Sequence, residues 1–350
     1  MATAKPLGLL AEGVEAWNEW RYQAGKTAKS NWLKGTRINL REAQLRQAEL
    51  RKINLSLVDC CMADLRRADL SHADLRESLF YTANLSHAQL TAANLSGADL
   101  REVSLHGACL RGASFNTATL TTADLTQSVL REASLRQADL RQASLNQADG
   151  CMADFTEADL CGADLSNAVL YTADLRRANL SQATLNQADL REANFAMATL
   201  QDAVLHAANL SAAICSVANM IGVALHSANL AIANLSLANL CMANLSHACL
   251  DSATLIGANL ISANLHKARL INANLENADL REAILHKADL RGADLCWANL
   301  RMANLSEANL EGANLYGADL TQANLWGANL NDTCLVDTVM PDGSLFSVDV

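Results

Sequence analysis

The chain has 350 residues, of which 51% are hydrophobic and only 4% aromatic, with two prolines, ten cysteines and a formal net charge of −10. So few residue types in so long a chain indicate internal repetition rather than two ordinary domains. No stretch of eighteen or more apolar residues could span a bilayer and no signal peptide is visible, so we expect no membrane association. The cysteines have no CxxC spacing, which favours a reducing, cytoplasmic location.

The first 35 residues differ from all that follow. In "LGLLAEGVEAWNEWRYQ", Leu10, Val14 and Trp17 lie one helical turn apart and Trp20 is adjacent, which predicts one short amphipathic helix. The next segment, "AGKTAKSNWLKG", predicts a tether. We expect the helix and tether, residues 1–35, to cover the open edge of the repeats that follow. The alternative is a docking arm.

From Leu40 to Leu335 every fifth residue is Leu at all but eight of sixty positions, and Ala stands two residues earlier equally often. On a helix a step of five would spread these leucines around all faces, so a helix is excluded. In an extended chain Ala and Leu share one face, but the next Ala is three residues on, which reverses the parity. The chain must therefore bend once per pentapeptide. Coils stacked at strand spacing, about 4.8 Å, then form an all-β solenoid with an Ala/Leu core.

Segments such as "ANLSGADL", "ADLRGADLCWANL" and "ANLYGADLTQANLWGANL" resemble the pentapeptide-repeat family, whose consensus is A(D/N)LXX. The segment "GVEAWNEWR" beside a long array is similar to cyanobacterial members. The resemblance implies a right-handed quadrilateral β-helix over residues 36–340, with twenty residues per coil and about 15 coils. After it, Pro341 and the turn-forming pair Asp342-Gly343 break the repeat and predict a C-terminal cap or tail, residues 341–350.

With twenty residues per coil, residues twenty apart stack in columns. Seven of the eight histidines fall on one face of the predicted coil, and four of them, His206, His226, His266 and His286, share one column with Ser246. Neighbours in that column would stand about 4.8 Å apart, near enough to hold a divalent metal ion or to repel each other when protonated. The plainer interpretation is a polar ladder without a ligand, and we expect no metal and no cofactor.

The segment Ala203 to Leu250 contains no Asp, Glu, Lys or Arg. Its outward positions, together with those just after it, carry branched or long apolar side chains along one edge of the predicted coil: Val217, Ile221, Leu237, Met242, Ile256 and Ile261. Such a patch is typical of an interaction site, for another protein or for a second copy of the chain. The plainer interpretation is that outward positions of a rigid coil tolerate any side chain.

No GxGxxG, Walker, HExxH or GxSxG motif occurs, and the acidic pairs point outward with no cleft to shift their pKa, so we expect no enzyme. The leading hypothesis is a scaffold or adaptor that presents a rigid surface to another protein. The family resemblance supplies an alternative, a mimic of DNA that binds DNA gyrase. Residues 1–52 carry ten basic and five acidic side chains, yet nucleic acid is the least favoured partner.

Overall fold

The computed structural model describes residues 4–27 and 37–346. Two helices, α1 (Ala4–Glu12) and α2 (Val14–Thr27), replace the single helix expected from the sequence. The chain breaks at Gly13, whose φ of 111° no L-residue adopts readily, so Leu10 belongs to α1 and Val14 begins α2. Residues 24–27 of the expected tether continue α2, and the rest of the tether lies outside the described residues.

The chain divides into two compact units, Met1–Val169, which includes α1 and α2, and Leu170–Val350. In the first, β1 (Ile38–Asn39) pairs in parallel with β2 (Val58–Asp59), twenty residues on. Isolated parallel bridges repeat that spacing from Gln44↔Asp64 to Asp149↔Val169 in the first unit, and from Asp174↔Asn194 to Asp319↔Val339 in the second. Each unit is therefore built of coils of four pentapeptides. The handedness and the total number of coils stay predictions.

Each pentapeptide makes one bend, as the parity argument requires. In the pentapeptide 98–102, the Ala98 and Leu100 side chains are buried, and the bend follows at Arg101 and Glu102. The N–H of Val103 donates to the Leu100 carbonyl at 3.2 Å, and Glu102 has a φ of 55°, the pattern of a type II turn. The second turn residue is Glu102 here and every fifth residue before and after it. Its backbone φ is left-handed throughout the array, although most of the residues at this position are not glycine.

The Asp or Asn that precedes most of the leucines completes the backbone hydrogen bonding. The Asp99 N–H donates to the Ser78 carbonyl in the preceding coil at 2.9 Å. The Leu100 N–H donates to the Thr119 carbonyl in the following coil at 2.7 Å. The N–H of the first turn residue donates instead to a side chain, that of the Asp or Asn two residues before it or, as for Arg136 and His206, that of Asn116 and Asn186 one coil earlier. At Ser71 that acceptor is Asp69 Oδ1, at 2.9 Å. Asp and Asn are thus selected for turn bonding although they are poor strand formers.

At the C-terminus the chain folds back as a hairpin. Val339 still bridges in parallel to Asp319, and then pairs antiparallel with Leu345. The Met340 N–H donates to the Ser344 carbonyl at 2.7 Å, and Gly343 has a φ of 84°. The turn expected at Asp342-Gly343 is therefore present, and residues 347–350 lie outside the described part of the chain.

Candidate partner-binding surface

One set of apolar outward residues in the second unit lies on two neighbouring corners of successive coils. Met197, Val217 and Leu237 occupy one column, and their side chains are 54%, 49% and 63% exposed. Met242, on the next corner, is 60% exposed. We call the following set the apolar face: Met197, Val217, Ile221, Leu237, Met242, Ile256 and Ile261.

Backbone hydrogen bonds hold the members of the apolar face in register. The Leu237 N–H donates to the Ile256 carbonyl, and the Met242 N–H donates to the Ile261 carbonyl, both at 2.9 Å. A Cβ built on Gly257 would lie 2.9 Å from Leu237 Cδ2, so the Leu237 side chain leans along its column over this glycine. The face is therefore continuous from coil to coil on rigidly paired backbone.

A row of asparagines separates the two corners. Asn259 Nδ2 donates to Asn239 Oδ1 at 3.0 Å, one coil away. Each Oδ1 in turn accepts the N–H of the first residue of the second corner, as Asn259 does from Ile261 at 3.1 Å. These amide groups are neutral, so the asparagine row itself brings no charge to the apolar face.

Elsewhere on the coils, Asp before leucine meets Arg after it. In the sequence Asp-Leu-Arg the guanidinium donates to both carboxylate oxygens. Arg191 Nε and Nη2, for example, lie 2.7 Å from Asp189 Oδ1 and Oδ2 respectively. Hydrogen bonding from the arginine holds the pKa of Asp189 below its usual value. The same pairing recurs at Asp64–Arg66, Asp74–Arg76, Asp99–Arg101, Asp139–Arg141, Asp174–Arg176, Asp279–Arg281 and Asp289–Arg291. Much of the acidic charge is thereby neutralised locally.

The helix α2 lies against the coil at residues 52–56. Trp17 is fully buried, and its Nε1 donates to the Asn54 carbonyl at 2.6 Å, while Asn18 Oδ1 accepts the Asn54 N–H at 2.8 Å. One coil later, Asp74 makes the corresponding hydrogen bonds with the backbone of the coil before it. Its N–H donates to the Ile53 carbonyl, and its carbonyl accepts the Leu55 N–H. Side chains of α2 thus take the place that a preceding coil would have.

The four residues predicted to form the N-terminal cap differ in how deeply they are buried. Trp20 is half-buried beside Trp17, with ring centroids 5.3 Å apart, and Leu10 and Val14 are also half-buried. Arg21, which the sequence argument did not use, donates to the Ser56 carbonyl at 2.6 Å, and burial lowers the pKa of this arginine. A long polar side chain next to a tryptophan gave no sequence signal of such a contact.

The histidines predicted to share a column do so, and His247 joins them from the neighbouring turn position. We call His206, His226, His247, His266 and His286 the histidine corner. The centroids of successive rings are 6.1, 5.4, 5.7 and 5.3 Å apart. Within the described residues, no three His, Cys, Asp or Glu side chains gather into a group that would hold a metal ion.

Within the same described residues, no helix combines the length and the apolar character needed to cross a membrane. No disulfide forms among the ten cysteines, all of which the structure describes. Burial raises the pKa of the Cys215 thiol to about 12, which makes this core thiol unreactive.

Comparison with protein families decides the assignment. The model for pentapeptide repeats matches in eight copies, at residues 38–80, 83–121, 118–149, 153–191, 188–223, 218–257, 258–295 and 298–337. The chain belongs to the pentapeptide-repeat family. This confirms the resemblance seen in the A(D/N)LXX segments. Among curated proteins no match was found.

Several solved pentapeptide-repeat structures are similar to this chain. HetL of the cyanobacterium Nostoc sp. strain PCC 7120, a protein involved in heterocyst differentiation regulation, is 36% identical over 67% of this chain and 91% of HetL, with a TM-score of 0.25. Rfr23 of the cyanobacterium Cyanothece 51142 is 40% identical over 30% of this chain and 64% of its own, with a TM-score of 0.16. A trypsin-treated variant of QnrB1, a plasmid-mediated fluoroquinolone resistance protein, is 21% identical over 52% and 88%, with a TM-score of 0.37. With such TM-scores the superpositions carry no functional argument.

Within the pentapeptide-repeat array, the six residues predicted from the sequence lie on the apolar face, but they do not contribute equally. Ile221, Ile256 and Ile261 are half-buried, whereas Val217, Leu237 and Met242 are exposed. Met197 was missed because it precedes the charge-free segment, although its column already contained Val217 and Leu237. Ile232, 68% exposed on another corner, was missed because only one edge of the coil was considered.

Proposed function

We propose that this chain is a non-enzymatic scaffold or adaptor that holds another protein against the apolar face of its second unit. The observation that carries the proposal is the combination of exposure and neutrality: Leu237 and Met242 are 63% and 60% exposed, in a segment without a charged side chain. Apolar side chains exposed in contiguous columns are typical of protein-binding surfaces.

Rigidity supports the same role. The backbone under the apolar face is hydrogen-bonded on both sides, to the preceding and the following coil, so a partner would meet a surface that loses little entropy on binding. We assign α2 the role of an N-terminal cap, since Trp17 and Asn18 satisfy Asn54 as a preceding coil would. The cytoplasm remains our proposed location, because no disulfide joins the ten cysteines.

Affinity capture with matched variants tests the scaffold proposal. The bait is the full chain carrying Leu237→Lys and Met242→Lys, compared with the unchanged chain and with a control carrying Met62→Lys and Met152→Lys. All four residues are exposed and occupy the same left-handed turn position, with φ of 58–59°. We expect a protein that is captured by the unchanged chain and by the control to be lost with the apolar-face variant.

Two results would contradict the proposal: the same proteins retained by all three baits, or the same proteins lost with both variants. A fourth bait without residues 1–35 tests the alternative that α1 and α2 form a docking arm. Only a docking arm requires the helices for capture. Sedimentation of the three full-length baits reports self-association. Loss of a dimer in the apolar-face variant alone would identify a second copy of the chain as the partner.

Gyrase binding by DNA mimicry is the second candidate, and the charge distribution argues against it. A mimic of DNA needs carboxylates that remain unneutralised along a stripe. Here Asp–Leu–Arg ion pairs recur in both units, for example at Asp99–Arg101 and Asp289–Arg291. A supercoiling assay with purified gyrase distinguishes the two functions: we expect no inhibition and no protection at concentrations that saturate a protein partner.

A further inference from the structure

The histidine corner has a hydrogen-bonding arrangement that fixes where its ring protons lie. The Ser246 Oγ has one hydrogen, and it donates this hydrogen to Asn244 Oδ1 at 2.6 Å. The same Oδ1 accepts the Ser246 N–H at 3.2 Å, which identifies it as the oxygen of the amide. His226 Nδ1 lies 2.9 Å from Ser246 Oγ. Because the hydroxyl hydrogen is already used, Ser246 Oγ accepts here, and His226 Nδ1 carries the proton.

The same relay occurs three coils further along the corner. The Ser306 Oγ donates to Asn304 Oδ1 at 2.7 Å, and His286 Nδ1 lies 2.8 Å from that Oγ. His286 Nδ1 also lies 3.0 Å from the Ser306 carbonyl oxygen, which only accepts. Both serines therefore hold the neighbouring imidazole in the Nδ1–H tautomer, and the lone pair of the neutral ring is on Nε2.

A histidine that donates Nδ1–H to a serine or carbonyl oxygen and keeps Nε2 bare has the outer hydrogen bond typical of metal ligands. We propose that the histidine corner binds divalent transition-metal ions, each held by the Nε2 atoms of two neighbouring imidazoles. Only nitrogen donors are offered, which favours Zn²⁺, Ni²⁺ or Cu²⁺ over Mg²⁺ and Ca²⁺. Since five rings make two separate pairs, the corner binds at most two ions.

Two ligands per ion agree with the grouping of side chains, since within residues 4–27 and 37–346 no three His, Cys, Asp or Glu converge. The remaining coordination positions are left to solvent. The spacing is suitable because the rings stand on successive coils with centroids 5.3 to 6.1 Å apart, so that the Nε2 atoms of two neighbours can turn toward one ion. The N–H···O bonds at Nδ1 restrict that rotation at His226 and His286 and leave His247 to adjust.

Nickel titration of the full chain tests the proposal. Ni²⁺ is the probe and Mg²⁺ the negative control, and binding is measured by calorimetry. All samples carry His87→Gln, because His87 and His106 form a separate pair of rings 5.4 Å apart in the first unit. We expect about two Ni²⁺ ions per chain. The triple variant His226→Gln, His247→Gln, His266→Gln, which leaves no adjacent rings in the corner, loses them, whereas His72→Gln does not.

Two further readouts separate a metal site from a polar ladder. Long-range ¹H–¹⁵N spectra without metal report the tautomers, and we expect Nδ1–H at His226 and His286. The double variant Ser246→Ala, Ser306→Ala removes the acceptor hydroxyls, and we expect it to weaken Ni²⁺ binding about tenfold or more. The proposal is overturned by Nε2–H tautomers at both rings, by Ni²⁺ binding within twofold in the triple variant, or by His72→Gln weakening binding as much as the triple variant does. Circular dichroism of each variant confirms that the coils are folded.

Discussion

Asp99 and Arg101, two residues apart, form a two-point ion pair in which Arg101 Nε and Nη2 lie 2.8 and 2.6 Å from the two carboxylate oxygens. The same carboxylate accepts the Arg101 N–H at 3.3 Å. One side chain thus serves the turn and the surface charge together. The arrangement recurs so that eight aspartates each have their charge paired with an arginine two residues on.

Replacing Asp99 separates the two roles. We expect Asp99→Asn to change stability little, because the amide oxygen still accepts the Arg101 N–H and an exposed ion pair contributes at most about 1 kcal/mol. Asp99→Ala removes the acceptor as well, and we expect a loss of about 1 kcal/mol. Hydrogen exchange at the Arg101 amide is the measurement: acceleration in Asp99→Ala and not in Asp99→Asn supports the turn role, and equal rates in both would exclude it.

Stability should fall in two steps as pH decreases. Burial, with the neighbouring charges, lowers the pKa of His266 in the folded state, so the unfolded chain binds that proton first and stability begins to decline below about pH 6.5. Hydrogen bonding from arginine lowers the pKa of a set of aspartates, whose contribution is complete above their unfolded value of about 3.9 and is lost as pH falls through the folded value. The set is Asp64, Asp74, Asp99, Asp139, Asp189 and Asp289.

The urea midpoint of unfolding, measured from pH 8 to pH 3, checks both steps. We expect a shallow decline near pH 6 that is absent in His266→Gln, and a steeper one below about pH 4 that His266→Gln retains. A profile that is flat down to pH 3, or a shallow step that His266→Gln leaves unchanged, would contradict these assignments.

Gly317→Ala should disturb the packing of Trp297. A Cβ on residue 317 would lie 2.5 Å from Trp297 Cε3, so the indole must move away from the coil. Gly112→Ala is the matched control, because Gly112 has a similar φ, 61° against 65°, and no atom within 4 Å of the added Cβ. Other left-handed turn positions in the array hold alanine, such as Ala92 and Ala207, so the backbone alone does not forbid the change.

Tryptophan fluorescence and the unfolding midpoint measure the effect of the two glycine variants. We expect a shifted emission spectrum and a loss of about 1 kcal/mol for Gly317→Ala, from strain and lost ring contact. Gly112→Ala should leave the emission spectrum unchanged and lower the midpoint less, because it has only the cost of an alanine in the left-handed region. Equal losses in the two variants would indicate a backbone cost common to the left-handed position rather than a clash with the indole.

Trp17→Ala should release α2 from the coil. Burial of the whole side chain and the bond to the Asn54 carbonyl are both lost, and we expect a destabilisation of about 3 kcal/mol. Trp17→Phe retains most of the volume and loses only the hydrogen bond, so its cost should be smaller. Hydrogen exchange at the Asn54 amide locates the effect, and Glu15→Gln, at an exposed position of α2, serves as control. Unchanged exchange in Trp17→Ala would show that α2 does not protect this edge.

The repeat determines much of the fold. A period of five with Ala and Leu two apart requires one bend per pentapeptide, because side-chain parity reverses there, and the buried Ala98 and Leu100 show this arrangement. Propensity would have misled at Asp and Asn, which favour turns over strands. Sequence spacing does not reveal that their side chains accept the N–H groups of the turns, because that requires every backbone donor and acceptor to be assigned in the structure.

The sequence predicted which residues of the candidate sites stack in one column, but not their contacts or exposure. Once twenty residues per coil were assumed, His226 and Leu237 could be placed beside their neighbours from residue numbers alone, because the array contains no insertion. Residue numbers did not predict the break at Gly13, which depends on a single backbone conformation, nor the exposure that separates Leu237 from the half-buried Ile256.

The sequence by itself determined which side chains point inward, since that follows from parity along the chain. The tertiary structure decided what the outward side chains meet, since their partners are separated by many residues: Asp149 pairs with Arg131 from the preceding coil at 2.5 Å, and Asn54 with Trp17 across 37 residues. Contacts of this kind depend on the rotamers and hydrogen bonds of two coils at once, and no periodicity within one segment encodes them.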